Sequence, residues 1–384
     1  MNIELSPAQK NMYCKYISLL AAVLNGRQPD ELPDNFPWKF FCKHAQRNSI
    51  LNILAYGIDK LKNKPDDVIV KVAENDKNYS IIKETSQLLL VEEVLAEFEK
   101  NRIKNLPLKG YFMKHLYPQS DFRTMTDVDI LVEKSDFKKI KKVFQDLKCE
   151  SIDLIKSDEI HFQKDLTYFE IQSDLNARNE EYFYDIWSKT KNRDEYEYSY
   201  CLTDEDFYIY LVYHCAKHFF TGGVGIRMIM DIYVYLKNYR NLDWEYIEKA
   251  FKELKIFEFE QKVRKIAINW FSDDDTQITP MGEFILSCST FGELSVFFCQ
   301  DNLNTKGSYW IKQVFIPYST MKKRYHYLKK LPFLLPVSWI QYWVTRIFIK
   351  RDIRVKQGLK GRAGVTISDK DKEFIKNIMY ELNK

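Results

Sequence analysis

The chain has 384 residues, 45 % of them hydrophobic and 29 % charged, so disorder, collagen and coiled-coil arrays are excluded as whole-chain descriptions. Its 12 glycines argue against a Gly-rich propeller or barrel, and its length predicts two to three domains or one domain with large additions. The net charge is +4, but residues 321–360 hold eleven Lys or Arg and one acid, so the other 344 residues sum to −6.

The first 100 residues read as helices. The apolar stretch Ile17 to Leu24 follows Lys10 and Lys15, as in a signal peptide, but Glu4 precedes it and no small-x-small cleavage site follows. It is read as a globular helix. Apolar residues recur at three- and four-residue spacing from Trp38 and again from Thr85 to Phe98. Pro33, Pro37 and Pro65 punctuate the region.

After Asn101 the pattern changes to that of a small α/β unit. Ile103 to Gly110 reads as a short strand ending at a glycine, and Tyr111 to Tyr117 as one or two helical turns. Asp127 to Glu133 mixes acids with β-formers and reads as a strand, Lys134 to Leu147 as a helix, and 159–164 and 166–175 as two further strands. Helical period returns at Thr203-Asp-Glu-Asp206, a capping signature before His214 and His218. Helices continue through Ile232 to Leu236 and Trp244 to Leu254, and Asp273 to Asp275 reads as a loop. The expected organisation is a helical region over 1–100, a catalytic core over 101–202, and a helical region over 203–384 with the basic, aromatic segment 321–360.

The seven cysteines, at 14, 42, 149, 201, 215, 288 and 299, form no C-x-x-C pair and are odd in number. That fits a reduced, cytoplasmic compartment and gives no support to structural zinc. Leu331 to Ile349 is interrupted by Pro332, Pro336, Gln341 and Arg346, so no transmembrane helix is expected.

The chemistry is concentrated at Asp127-x-Asp129. Alternate residues on a strand share a face about 6.6 Å apart, so two such carboxylates can converge on Mg²⁺, a hard cation that takes oxygen ligands. An exposed strand also carries alternating acids without any ligand. The context here is Leu108-Lys109-Gly110 between a strand and a helical turn, where backbone N–H groups and a lysine can meet a phosphate. Arg123 stands four residues before the first acid, and Glu170 falls on a later strand. Strand, glycine, helix, strand with D-x-D, then another strand acid is the layout of a nucleotidyltransferase core.

The segments Leu106-Pro-Leu-Lys-Gly-Tyr, Tyr117-Pro118 and Phe122-Arg-Thr-Met-Thr-Asp-Val-Asp-Ile-Leu-Val132 resemble a bacterial family of uncharacterised nucleotidyltransferases in the polymerase-β-like superfamily. Phe169 to Leu175 resembles the family's third-acid strand. Leu211 to His218 and Ile226 to Asp231 resemble its helical H-x-x-x-H and R-x-x-x-D region. The resemblance implies an α+β fold, a small mixed sheet with helices flanked by helical regions. It also implies transfer of a nucleoside monophosphate from an NTP to a hydroxyl acceptor in surface polysaccharide or related metabolism. Asp127, Asp129 and Glu170 are then the catalytic acids and ligands of two Mg²⁺ ions, and Lys109, Gly110 and Arg123 contact the nucleotide. Two positions depart from the pattern. Tyr111 stands where the superfamily has serine, and Gln172 where the family has histidine, which leaves Asp174 as an alternative third acid.

Other readings stay open. A degenerate core would bind a nucleotide or partner without turnover. His214 and His218 share a helix face and serve either the substrate cleft or internal packing. Arg227 and Asp231 are spaced for an ion pair. Segment 321–360 suits a membrane surface or anionic carrier, which would make the protein peripheral at the inner membrane. It also suits nucleic-acid phosphates, or a plain helical pair with its basic residues in water.

Overall fold

The computed structural model describes residues 3–152, 158–175, 181–272, 276–290 and 292, with 318, 321, 325–344 and 369–382. Most of the basic positions in 321–360, the loop at 273–275 and Cys299 lie outside the described residues.

The helices α1 (Pro7–Leu24), α2 (Trp38–Arg47) and α3 (Leu51–Lys60) precede a 34-residue helix, α4 (Asp67–Lys100). Ser6 and Gln9 form a capping box at the start of α1, whose Ile17 to Leu24 stretch is almost wholly buried. Helix α4 begins just after Pro65, with Asp67 in its first turn and Lys100 in its last, both favourable to the helix dipole. It ends where Asn101 caps Glu97 O and Arg102 turns to φ 54°.

Next come β1 (Asn105–Pro107), α5 (Gly110–Lys114), β2 (Val128–Val132), α6 (Phe137–Asp146), β3 (Glu150–Ile152), β4 (Glu159–Lys164) and β5 (Thr167–Gln172). They form a mixed sheet in the order β1-β2-β5-β4-β3, in which β2 and β5 are parallel and the other neighbours antiparallel. A hairpin, β6 (Thr190–Asn192) and β7 (Tyr200–Leu202), follows. The expected strands at 127–133, 159–164 and 166–175 are present, the last ending three residues early. The short β3, β6 and β7 were not foreseen.

The remaining helices are α7 (Asp204–Gly222), α8 (Ile226–Asn238), α9 (Trp244–Glu253), α10 (Phe257–Phe271), α11 (Pro280–Ser287), α12 (Leu335–Val344) and α13 (Asp369–Leu382). Thr203 caps α7 as its sequence indicates, accepting from Asp206 N at 3.2 Å. The architecture is the expected α+β class. Among the described residues no helix is long and apolar enough to cross a membrane.

Strand period divides the sheet between two cores. Val128, Ile130 and Val132 of β2, with Phe169 and Ile171 of β5, pack against α4 and α6 through Val91, Leu95, Phe98, Ile140 and Phe144. Leu131, on the other face of β2, joins a larger core built by α1–α3 and α7–α11. Asp129 and Glu170 also belong to that second face, so the two-residue repeat sends the acids to the side opposite α4.

Candidate active site

Parallel pairing sets Asp129 of β2 directly beside Glu170 of β5, with Val128 beside Phe169 and Ile130 beside Ile171. Asp127 precedes the strand by one residue. The carboxylate oxygens of Asp127, Asp129 and Glu170 lie within 4.8 Å of one another. Asp174 lies beyond the end of β5, exposed and away from this trio, because the strand stops at Gln172. The carboxylate grouped with Asp127 and Asp129 is that of Glu170, and Asp174 stands outside the group.

Lys109 reaches the trio by a backbone route. Leu108 N donates to Asp129 O at 3.0 Å, which ties the end of β1 to β2. The next residue, Lys109, turns into α5 at φ 43°, and its Nζ lies 3.3 Å from Asp129 Oδ2. Burial works against the Lys109 charge, but Tyr210, Asp129 and Asp127 outweigh it and hold its pKa above the usual lysine value. Asp127 is pushed up by burial and by Asp129, with Lys109 opposing. A Cβ at Gly110 would meet Met125 Cγ at 2.9 Å, so any larger residue there would force the Met125 side chain to shift. Tyr111 faces away, its hydroxyl donating to Glu92 at 2.5 Å and accepting from Arg193 at 3.1 Å. The missing serine thus leaves no tyrosine ring in the cleft.

These groups line a cavity of about 310 Å³ whose opposite wall is helical. Helix α7 presents Tyr210, His214 and His218 at four-residue spacing, with Tyr213 and Lys217 beside them. The Nε2 atoms of His214 and His218 are 3.1 Å apart. Burial first, then nearby Lys109, pulls His218 down to about 4 and His214 well below the usual value. Both rings are neutral at pH 7, so one Nε2–H donates to the other Nε2. Burial also pushes Tyr210 up to about 12, so its hydroxyl keeps its proton. The histidine pair therefore combines cleft lining with internal hydrogen bonding. Tyr210, Lys217 and Met228 were missed, and the spacing around His214 was the available signal for the first two. Thr290 comes from outside any motif.

The loop before β2 is braced from three helices. Arg123 Nε donates to Asp231 Oδ1 and Oδ2 at 2.8 and 3.0 Å, and Tyr117 OH donates to Asp231 Oδ1 at 2.8 Å. Arg227 donates to the Thr124 carbonyl, to Thr124 Oγ1 at 3.2 Å and to Ser49 O at 3.1 Å. Asn52 donates to Asp121 O at 2.5 Å, and Gln87 to Met125 O at 3.3 Å. The expected Arg227–Asp231 pair is corrected: Asp231 takes Arg123 and Tyr117, while Arg227 holds backbone and hydroxyl oxygens. Arg123 lines the cavity with its guanidinium bound to Asp231.

A profile of the family described as uncharacterised nucleotidyltransferase matches residues 34–272, well over half of the chain. The chain belongs to that family. The matched span holds the acid trio, Lys109, the α7 wall and the Asp231 brace. No curated protein matches the sequence. Among solved structures, the chain is similar to the solution structure of the antibiotic-resistance factor ANT(2″)-Ia. The identity is 10 % and the TM-score 0.35, over 47 % of this chain and 96 % of that one.

Proposed function

We propose that the protein is a Mg²⁺-dependent nucleotidyltransferase that joins the α-phosphate of an NTP to an acceptor hydroxyl and releases pyrophosphate. The observation that carries this reading is the carboxylate trio on adjacent parallel strands, with Lys109 against Asp129. The donors fit a hard divalent cation: three oxygen-bearing side chains within 4.8 Å, one of them with its charged form disfavoured by burial and a neighbouring acid. Asp127, Asp129 and Glu170 would hold Mg²⁺. Bound there, Mg²⁺ would polarise the phosphate oxygens and offset charge on the departing pyrophosphate.

The chain's own groups do the rest. Lys109 stays protonated and supplies positive charge for the β- and γ-phosphates. Gly110 lines the cavity at the same edge. Glu170 completes the carboxylate set or takes the proton from the acceptor hydroxyl. Tyr210 and the neutral His214–His218 pair offer hydrogen bonds to the acceptor without adding charge. The brace on Asp231 holds Arg123 and thereby the backbone leading into Asp127. Acceptors compatible with this wall are hydroxyl compounds such as sugars, small metabolites, protein side chains or RNA.

One feature favours a second reading: Lys109 already pairs with Asp129, so a cation of the chain itself balances part of the cluster. A nucleotide-binding module without turnover would keep that arrangement. Two measurements separate the readings. Mg²⁺-dependent NTP binding should fall at least about tenfold in Asp127→Asn with Asp129→Asn, and unchanged binding sinks the site assignment. Transfer of labelled nucleotide to some component of cell extract should be seen with the wild type, and binding without any transferred label would favour the second reading.

A further inference from the structure

The C-terminal part of the described chain builds a small apolar core apart from the two around the sheet. Met321, Leu328 and Tyr342 are buried together, with Leu334, Leu335 and Trp339 packed against them. The elements are short: 3-10 turns at His326–Lys329 and Pro332–Leu334, then α12. Helix α12 reads Leu-Pro-Val-Ser-Trp-Ile-Gln-Tyr-Trp-Val and has no charged side chain.

The inward side of α12 is used by that core. Beyond it, Phe333 is 73 % exposed, Ile340 67 %, Val337 52 % and Leu331 41 %. Val337 and Ile340 are three residues apart on one helix face, and Leu331 and Phe333 lie in the turn that leads into it. A cluster of large apolar side chains in water marks an interaction surface.

Charge selects the partner. Lys330 is exposed beside Leu331, and the sequence over 321–360 carries eleven basic residues against Asp352 alone. Anionic lipid satisfies both features at once: the apolar side chains enter the acyl boundary while Lys330 stays among the headgroups. Nucleic-acid phosphates would meet the charge but leave the aliphatic side chains without an apolar phase.

We propose that α12 and the turn before it form a docking surface for an anionic bilayer, entered by Leu331, Phe333, Val337 and Ile340. The reading is independent of the activity proposed above. The test uses the full-length chain and sedimentation with phosphatidylcholine vesicles, either pure or with phosphatidylglycerol at about one part in three. Binding to the mixed vesicles should be at least about tenfold stronger and should weaken with salt. Phe333→Ser with Ile340→Ser, both exposed, should lower it about tenfold while circular dichroism and Mg²⁺-dependent NTP binding stay as in the wild type. Lys330→Glu should weaken it by a smaller factor. Equal vesicle binding by the serine double variant overturns the proposal. So does a wild type that ignores both vesicle types and binds RNA, or one that ignores them and self-associates through a contact the double variant abolishes.

Discussion

On the strand wall of the cavity, Asp129 and Glu170 project from two paired strands whose other face, Val128, Ile130, Phe169 and Ile171, is locked into an apolar core. On the helix wall, Tyr210, His214 and His218 project from one face of α7, whose other side joins the larger core. The strand wall gathers like charges, which the β-ladder prevents from moving apart. The helix wall carries groups that burial keeps neutral. A rigid ladder suits a cluster that must resist its own repulsion, whereas a hydrogen-bonded pair of neutral rings needs only the i, i+4 spacing of a helix.

The largest effect is expected at the brace that ties the loop before β2 to α8. Asp231→Asn leaves the part-buried Arg123 guanidinium without its counter-charge and should cost about 3 kcal/mol in urea unfolding. A loss below about 1 kcal/mol would mean that the brace does not hold the loop.

Next in size is acid sensitivity of the helix wall. The folded pKa of His218 is about 4, below the usual 6.5, so the unfolded chain takes up more protons between these values. Stability should therefore fall as pH drops from about 6.5 toward 4, by up to roughly 3 kcal/mol for this residue, and His218→Gln should flatten the slope. Buried His44, also held near 4, adds a slope of the same sign that the variant leaves in place. A slope identical in the variant would show the ring to be charged or solvated in the fold.

The strand wall should respond with the opposite sign. Burial and Asp129 disfavour the charged form of Asp127, so in chelator Asp127→Asn should stabilise the fold by about 1 kcal/mol while abolishing any Mg²⁺-induced rise in Tm. Destabilisation would mean that the carboxylate is structurally required. The smallest effect belongs to exposed Asp174: Asp174→Ala should leave Tm and nucleotide transfer unchanged, within about 0.5 kcal/mol for stability.

What the sequence made legible follows from the range of each interaction. Asp127-x-Asp129 and the strand bearing Glu170 obey a two-residue period, so their shared face can be read locally. Their direct adjacency depends on the β2–β5 register, which the sequence does not print. The His214 and His218 face was legible for the same local reason, and extending that spacing back to Tyr210 would have found another member of the wall. The brace was not legible. Asp231 finds Arg123 across 108 residues, and its nearer candidate, Arg227, turns to Thr124 instead. The reading of strand 166–175 is too long because Asp174 and Leu175 fall in step with its polar–apolar alternation, although pairing ends at Gln172.

Helix α4 runs between the two cores. Ile69 and Ala73 near its start are buried in the helical body, while Leu90 to Phe98 near its end lie under the sheet. Between them, Ile81 and Ile82 are exposed, and Glu84 meets Lys114 at 2.9 Å. One added residue in that middle stretch would rotate everything beyond it by about 100° and advance it by about 1.5 Å. Either the first turns or the last would then present the wrong face to its core. This helix should therefore accept substitutions at exposed middle positions such as Ile81 and Ile82 yet tolerate no change in length there, a constraint on insertions and deletions more than on those residues' type.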